Sequence, residues 1–431
     1  MVSDLLLIGM LSVLLILLIL TRTEVAFAIG LVALLWVFVG GQSMTTGTSR
    51  IFGGMNHFVL LAIPFFLLAG ELMNEAHITE RVVRVANVSV GRFRGGLAQA
   101  NIGASLVFAG IAGAAIADVA AIGSVFIPAM DDEGYDRDFS AAVTAASALI
   151  GPIIPPSIII VIYGAVTQTS IGGLFTAAVI PGILLGGALM VLVAYKAHTE
   201  DLPRYEVEVD LDEYPSIAID GLLALTMPGI ILFGIIGGFM TPTEAAAIAC
   251  VYAIVLGIFV YRSLNLGGLY NALRRSIERS TQLYVIIGFA TILSYMLARE
   301  GVPRLIAETI GAAGVGVIGF MLLIALVLLF VGTWLEIGAA CIMLAPTMAT
   351  MADLLGIHAY HFGIMFVVTL NFGLITPPIG MALFAASSVA EVPVWPIAKK
   401  IFPFFLVDLV VLVLLIVFPG LTLWLPRVIG I

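Results

Sequence analysis

Charge is what this 431-residue chain lacks most. Asp, Glu, Lys and Arg together make up 10% of it, against 61% hydrophobic residues and a mean hydropathy of +1.19. Soluble domains carry about a quarter charged residues, so a water-soluble globule is excluded. Cysteine is nearly absent as well. Cys250 and Cys341 both lie in apolar segments, too few for a disulfide or metal framework, and read as packing residues. No Gly-Lys-Ser/Thr phosphate loop, serine nucleophile elbow or zinc motif occurs, which argues against ATP-driven work by this chain and against an enzyme. The period-2 alternation of a barrel strand is missing, leaving helices as the only spanning structure. Basic residues are scarce, 18 against 27 acidic ones, for a net charge of −9, and no nucleic-acid partner is expected. Much of the negative charge sits in two stretches, Asp131–Asp138 and Glu200–Glu213, which read as solvated turns.

What the chain has instead is long apolar runs, such as Leu5–Leu20, Val317–Val331 and Phe404–Phe418, the last interrupted only by Asp408. A hydrocarbon core of roughly 30 Å needs about 20 such residues per helix, so the protein is an all-α, polytopic membrane protein. Spans are expected near 5–20, 25–40, 58–73, 139–162, 172–195, 217–237, 243–261, 281–298, 361–386 and 399–424. The first has no basic start and no small-residue cleavage site, and reads as a retained span. Residues 97–130 and 315–352 are rich in Gly and Ala, too long for one crossing and too short for two. They are expected to be re-entrant hairpins of two half-helices each. Two polar stretches, 74–94 and 264–280, are expected as interfacial or connecting helices.

The sequence repeats itself. Gly151-Pro152-Ile153-Ile154-Pro155-Pro156 returns as Gly373-Leu374-Ile375-Thr376-Pro377-Pro378, a spacing of 222 (373 against 151). Asp118-Val119-Ala120-Ala121 with Pro128 and Met130 returns as Glu336-Ile337-Gly338-Ala339 with Pro346 and Met348. Thr21-Arg22-Thr23-Glu24 returns as Thr241-Pro242-Thr243-Glu244, and Pro181 as Pro403. Five crossings separate the first span from its partner near 217–237, because a hairpin contributes none. Five is odd, so the halves are expected to be inverted, as in many secondary transporters. On this topology fourteen basic residues, among them Arg81, Arg137, Lys196, Arg275 and Lys400, share one side, and only Arg50, Arg299, Arg304 and Arg427 the other. The first side is then cytoplasmic and both termini are periplasmic.

Three residue sets carry possible chemistry. A double proline removes backbone donors and clashes with the preceding turn, so the helix must unwind around Gly151–Ser157 and Gly373–Gly380. One such break reads as a kink. Two at symmetric positions point to an ion or substrate site, with freed carbonyls for a cation and a half-helix N-terminus for an anion. The hairpin carboxylates Asp118 and Glu336 come next: a charge at membrane depth costs about 2.5–3.5 kcal/mol on insertion scales and needs a role. Holding a cation, contacting substrate and capping a half-helix all fit. Thr21 with Glu24, and Thr241 with Glu244, have capping-box spacing and read as structural. Glu71 reads as interfacial, and His358, His361 and Asp353 as a thin case for a metal site.

Here the residues resemble a known family. Ala109-Gly110-Ile111 through Asp118–Ser124 to Ile127-Pro128-Ala129-Met130, Gly151–Ser157 followed by Tyr163-Gly164, and Gly373–Pro378 look like the first hairpin and the two broken helices of the large membrane subunit of TRAP transporters, the DctM-like family. The likeness covers essentially the whole chain. It implies an elevator-type ion transporter fold: an inverted repeat with two hairpins and two broken helices, which form a transport domain moving against a scaffold. The transport parts are then 95–170 and 315–390, and the scaffold 1–94, 171–314 and 391–431. It implies co-transported sodium ions and no organic cofactor. It also implies a small four-helix membrane subunit, a periplasmic solute-binding protein, a small organic-acid-like solute, and a place in the inner membrane of a bacterial or archaeal cell. By similarity, one sodium lies among Gly113, Asp118, Gly151, Pro152 and Pro155, and another among Gly332, Thr333, Gly373, Thr376 and Pro377. Glu336, with Ala112, Ala114, Ser157 and Gly338, is implicated at the substrate site. Two departures stand out: alanines at 112 and 114 where the family usually has serines, and Glu336 where Asp is commoner. A free-standing divalent-anion symporter, and an intramembrane acid protease using Asp118 and Glu336, are the alternatives.

Overall fold

A computed structural model describes residues 9–431 apart from 12, 19–20, 22, 79–80, 83, 87–93, 113–114, 205–213 and 378. Among the described residues the chain is helical, and eight helices are long and apolar enough to cross a membrane. In chain order the first group is α1 (Val25–Val39), α2 (Met44–Met55), α3 (Ala62–Glu75), α4 (Gly96–Ala112), α5 (Ala115–Asp132), α6 (Arg137–Ala148), α7 (Ile158–Thr167) and α8 (Ile171–Thr199). Then come α9 (Tyr214–Ile236), α10 (Pro242–Val255), α11 (Leu266–Arg299), α12 (Val302–Ala312), α13 (Val317–Trp334), α14 (Ile337–Leu354), α15 (Ala359–Phe372), α16 (Met381–Ala390), α17 (Val394–Val417) and α18 (Gly420–Ile429).

The sequence repeat is a repeat of elements. The return arms α5 and α14 both have 18 residues, and the post-break helices α7 and α16 both have 10. Their pairings exchange between the halves. α5 packs on α16 and α14 on α7; α3 packs on α10 and α1 on α11; α6 packs on α17 and α15 on α8. Each copy thus completes the other, and neither half has a full core alone. α8 and α17, assigned to the scaffold by resemblance, lie against the hairpin and broken-helix group: α8 on α4, α7 and α15, and α17 on α6, α15 and α16.

Several sequence expectations change. Residues 264–280 and 281–298 are one helix, α11, whose 34 residues extend about 51 Å at 1.5 Å per residue. The Asn265 side chain starts it by accepting from the Gly268 amide. No Gly or Pro interrupts the polar-to-apolar boundary inside it, so nothing there stops the helix. The hairpin arms have 17 or 18 residues each and exceed half-helices. The expected span 399–424 breaks at Phe418–Pro419 into α17 and α18. The expected capping box forms at Thr241 and Glu244, with both reciprocal bonds present, but not at Thr21. Helix α1 starts at Val25, so Glu24 is itself the N-cap, and Thr21 bonds Leu18 and Thr23 instead.

Glu71 is enclosed by protein rather than left open. It is 6% exposed and bridges Arg275 at 3.1 Å and Arg279 at 2.9 Å, while Arg275 also reaches Glu75. These ion pairs clamp α3 to α11. Helix α2 was not expected from the sequence: its Thr- and Gly-rich composition is a weak helix former. Ser43 caps its start by accepting from the Thr45 amide, and it packs closely on α11. A Cβ at Gly54 would sit 2.1 Å from the Thr291 hydroxyl oxygen.

Candidate ion and solute site

The first break runs from Leu149 to Ser157, with a cis bond between Pro155 and Pro156. Ser157 ends it as the N-cap of α7. Its Oγ accepts from the Ile160 amide and donates to the Pro152 carbonyl. Opposite lies Asp118, 1% exposed, with no hydrogen-bond partner for either carboxylate oxygen among the described residues. A Cβ built on Gly151 would stand 1.9 Å from Asp118 Oδ2, so the carboxylate occupies the space glycine leaves open. A buried, unpartnered carboxylate is costly, and a cation is the natural remedy. Behind it Asn101, Ser105, Thr144 and Ser147 tie α4 to α6: Asn101 Nδ2 donates to Thr144 Oγ1 at 2.7 Å, and Ser147 Oγ to Asn101 Oδ1 at 3.1 Å. Ser105 joins Ser147 at 2.9 Å.

The second break is assembled differently. Here the hairpin tip touches it backbone to backbone. A Cβ on Gly373 would lie 2.5 Å from both Cα and C of Gly332, and one on Gly332 would lie 2.5 Å from the Leu370 carbonyl oxygen. Gly380, the N-cap of α16, takes φ +60 and donates to the Thr333 carbonyl at 3.4 Å. The Leu374 and Thr376 carbonyl oxygens lie 2.9 and 3.2 Å from where its Cβ would be. Carbonyls of the tip and the break therefore converge on Gly380, the oxygen-rich surroundings a hard cation takes. The Thr333 and Thr376 hydroxyls donate back to Phe330 and Phe372 and keep acceptor lone pairs.

The two carboxylates differ in role. Glu336 is exposed and is the N-cap of α14: Oε1 accepts from Gly338 at 2.9 Å and Oε2 from Ala339 at 2.8 Å. A Cβ on Gly338 would meet Glu336 Oε2 and Leu283 Cδ2 at 3.0 Å, so those side chains would have to give by a few tenths of an ångström. Pro152 and Pro155 are buried in the first break, and Pro377 is exposed in the second. Gly113 and Ala114 lie outside the described residues, and of Ala112 only its place as the last residue of α4 is described. His358 caps α15 and His361 bonds Thr422 at 2.9 Å. Two polar groups escaped sequence reasoning. Among the described residues, Asn371, two residues before Gly373, has a buried Oδ1 with no partner, and Asp408 on α17 is 0% exposed with both oxygens unpartnered. A polar residue in an otherwise apolar run was their only signal.

With this geometry in hand, the comparisons with known proteins converge. The family model for the tripartite ATP-independent periplasmic transporter, DctM component, matches residues 12–421. The chain is 38% identical over 407 residues to the sialic acid TRAP transporter large permease protein SiaM of Vibrio cholerae, covering 94% of each. It is 39% identical over 381 residues to the C4-dicarboxylate TRAP transporter large permease protein DctM of Pseudomonas aeruginosa, covering 88% of this chain and 89% of that one. In fold it resembles the crystal structure of the Alcanivorax borkumensis YdaH transporter, with a TM-score of 0.63 over 88% of each chain at 18% identity. The chain is no enzyme: it belongs to the DctM family, as the large permease subunit of a tripartite, ATP-independent periplasmic transporter.

Proposed function

We infer that this subunit imports a small organic anion together with sodium. Its partners are a four-helix membrane subunit and a periplasmic solute-binding protein, and the membrane is the inner membrane, with both termini periplasmic. The observation that carries sodium coupling is Asp118, buried, unpartnered and facing Gly151. The carbonyls gathered at Gly380 support a second cation place. On this reading Glu336 orders the tip by capping α14 and leaves the α14 N-terminus, with its positive dipole end, to face solute.

Elevator movement is supported by an asymmetry. α11 lies along α14 of the second hairpin, whereas its repeat counterpart α3 lies on α4 and α7. An inverted repeat resting at one end of a stroke breaks its symmetry at such contacts, because the scaffold meets the two hairpins at different heights.

The test is the sodium-dependent thermal shift of the purified protein against choline, followed by uptake in proteoliposomes with both partners. Binding at 100 times Kd stabilises by about 2.7 kcal/mol. Asp118→Asn is expected to remove the sodium shift while raising the melting temperature in sodium-free buffer. Equal stability of the wild type in sodium and choline sinks the coupling. Uptake that proceeds without any binding protein favours the free-standing symporter instead.

A further inference from the structure

Away from the breaks, α2 and α11 enclose a cleft of about 630 Å³. Thr45, Ser49, Arg50, His57 and Thr291 are among the residues lining it, and no carboxylate is. Arg50 is its only arginine or lysine. The guanidinium is held over the Tyr295 ring at 4.1 Å, and no ion pair to it is found among the described residues. A cation fixed on an aromatic face, with hydroxyls beside it, suits an anion bearing hydrogen-bonding groups.

The cleft leads inward. A second cavity of about 130 Å³ shares Gly54, His57 and Thr291 with it. Its far wall is Val166 and Gln168 at the end of α7 and Ile342 and Pro346 on α14, and Ser294 of α11 joins the near wall. It therefore lies in the seam between α11 and the post-break and hairpin helices, again without a carboxylate. Gln168 stands there in a left-handed conformation, φ +57, as the C-cap of α7.

We propose that the α2–α11 cleft is an entry vestibule for the anionic solute, in which Arg50 attracts a carboxylate and passes it along His57 and Thr291 into the seam. The proposal rests on the importer reading, in which Arg50 is on the periplasmic side. A single fixed charge with no acidic neighbour concentrates anions and repels cations at the mouth, which is the requirement for loading from a partner on that side.

The experiment places a cysteine at Thr46, which lines the same cleft, and compares an anionic with a cationic methanethiosulfonate reagent of similar size. Cys250 and Cys341 are buried and serve as background. Rates relative to a free thiol are expected to favour the anionic reagent, and Arg50→Gln should lower that preference about fivefold while Arg50→Lys keeps it. An unchanged ratio in Arg50→Gln overturns the vestibule. So does labelling of right-side-out vesicles by the impermeant reagents only after permeabilisation. In the tripartite assembly, Arg50→Gln should raise the solute KM and leave the maximal rate near that of the wild type; a fall in maximal rate alone also overturns it. Labelling needs neither sodium nor partners, so its outcome is independent of whether transport is sodium-coupled.

Discussion

Gly373→Ala offers the sharpest test of how the second site is built. The added methyl would meet Gly332 Cα and C at 2.5 Å and the Thr333 nitrogen at 2.9 Å. All three are backbone atoms and none can rotate aside. Ordinary carbon contacts begin near 3.4 Å, so the tip has to withdraw by about 1 Å. Overpacking of this kind costs about 1–3 kcal/mol. If that strain is relieved by moving the tip, it opposes cation binding, because the Thr333 carbonyl then leaves Gly380, beside which the Leu374 and Thr376 carbonyls also lie. The half-saturating sodium concentration for uptake should then rise by about 5- to 150-fold. The assay is the sodium dependence of initial uptake in proteoliposomes, with melting temperature measured in parallel. Gly187→Ala is the control: nothing lies within 4 Å of its Cβ position on α8, and sodium dependence should stay at the wild-type value. A Gly373→Ala protein that folds and keeps the wild-type sodium dependence refutes tip contact as the basis of the site.

Other expectations follow from individual residues. Glu71→Gln removes the charge that Arg275 and Arg279 share; with both arginines about half exposed, the loss should be about 1–2 kcal/mol, read as a melting temperature lowered by a few degrees. High salt should narrow the gap between variant and wild type. Ser157→Ala deletes the α7 N-cap and should cost about 1 kcal/mol, with Ser157→Thr, which keeps a hydroxyl to accept from Ile160 and donate to Pro152, recovering stability better than Ser157→Val in the same thermal measurement. Glu336→Gln leaves one acceptor oxygen for two amides, so solute affinity should fall, whereas Glu336→Asp, which keeps both oxygens, should retain most of it in an uptake titration.

The amino-acid sequence by itself determined the membrane class, most of the helices, the duplication and the two breaks. These follow from local physics. A run of apolar residues must lie in hydrocarbon, and a double proline breaks a helix whatever packs around it. Local physics also misled at two places: α11 continues where a polarity boundary looked like an end, and α2 forms from weak helix formers, capped by Ser43 and packed on α11 where Gly54 meets Thr291. Only the tertiary structure decided what the paired carboxylates do. Aligned in the repeat, Asp118 and Glu336 are equivalent letters. Yet α5 begins at Ala115, so Asp118 lies inside the helix and points across to Gly151, while α14 begins at Ile337, so Glu336 is left outside as a cap. A shift of a few residues in where a helix starts separates an unpartnered buried charge from a satisfied one. At the second hairpin the tip just before α14 rests on Leu370 and Gly373, far along the chain, and no single stretch of sequence contains that contact.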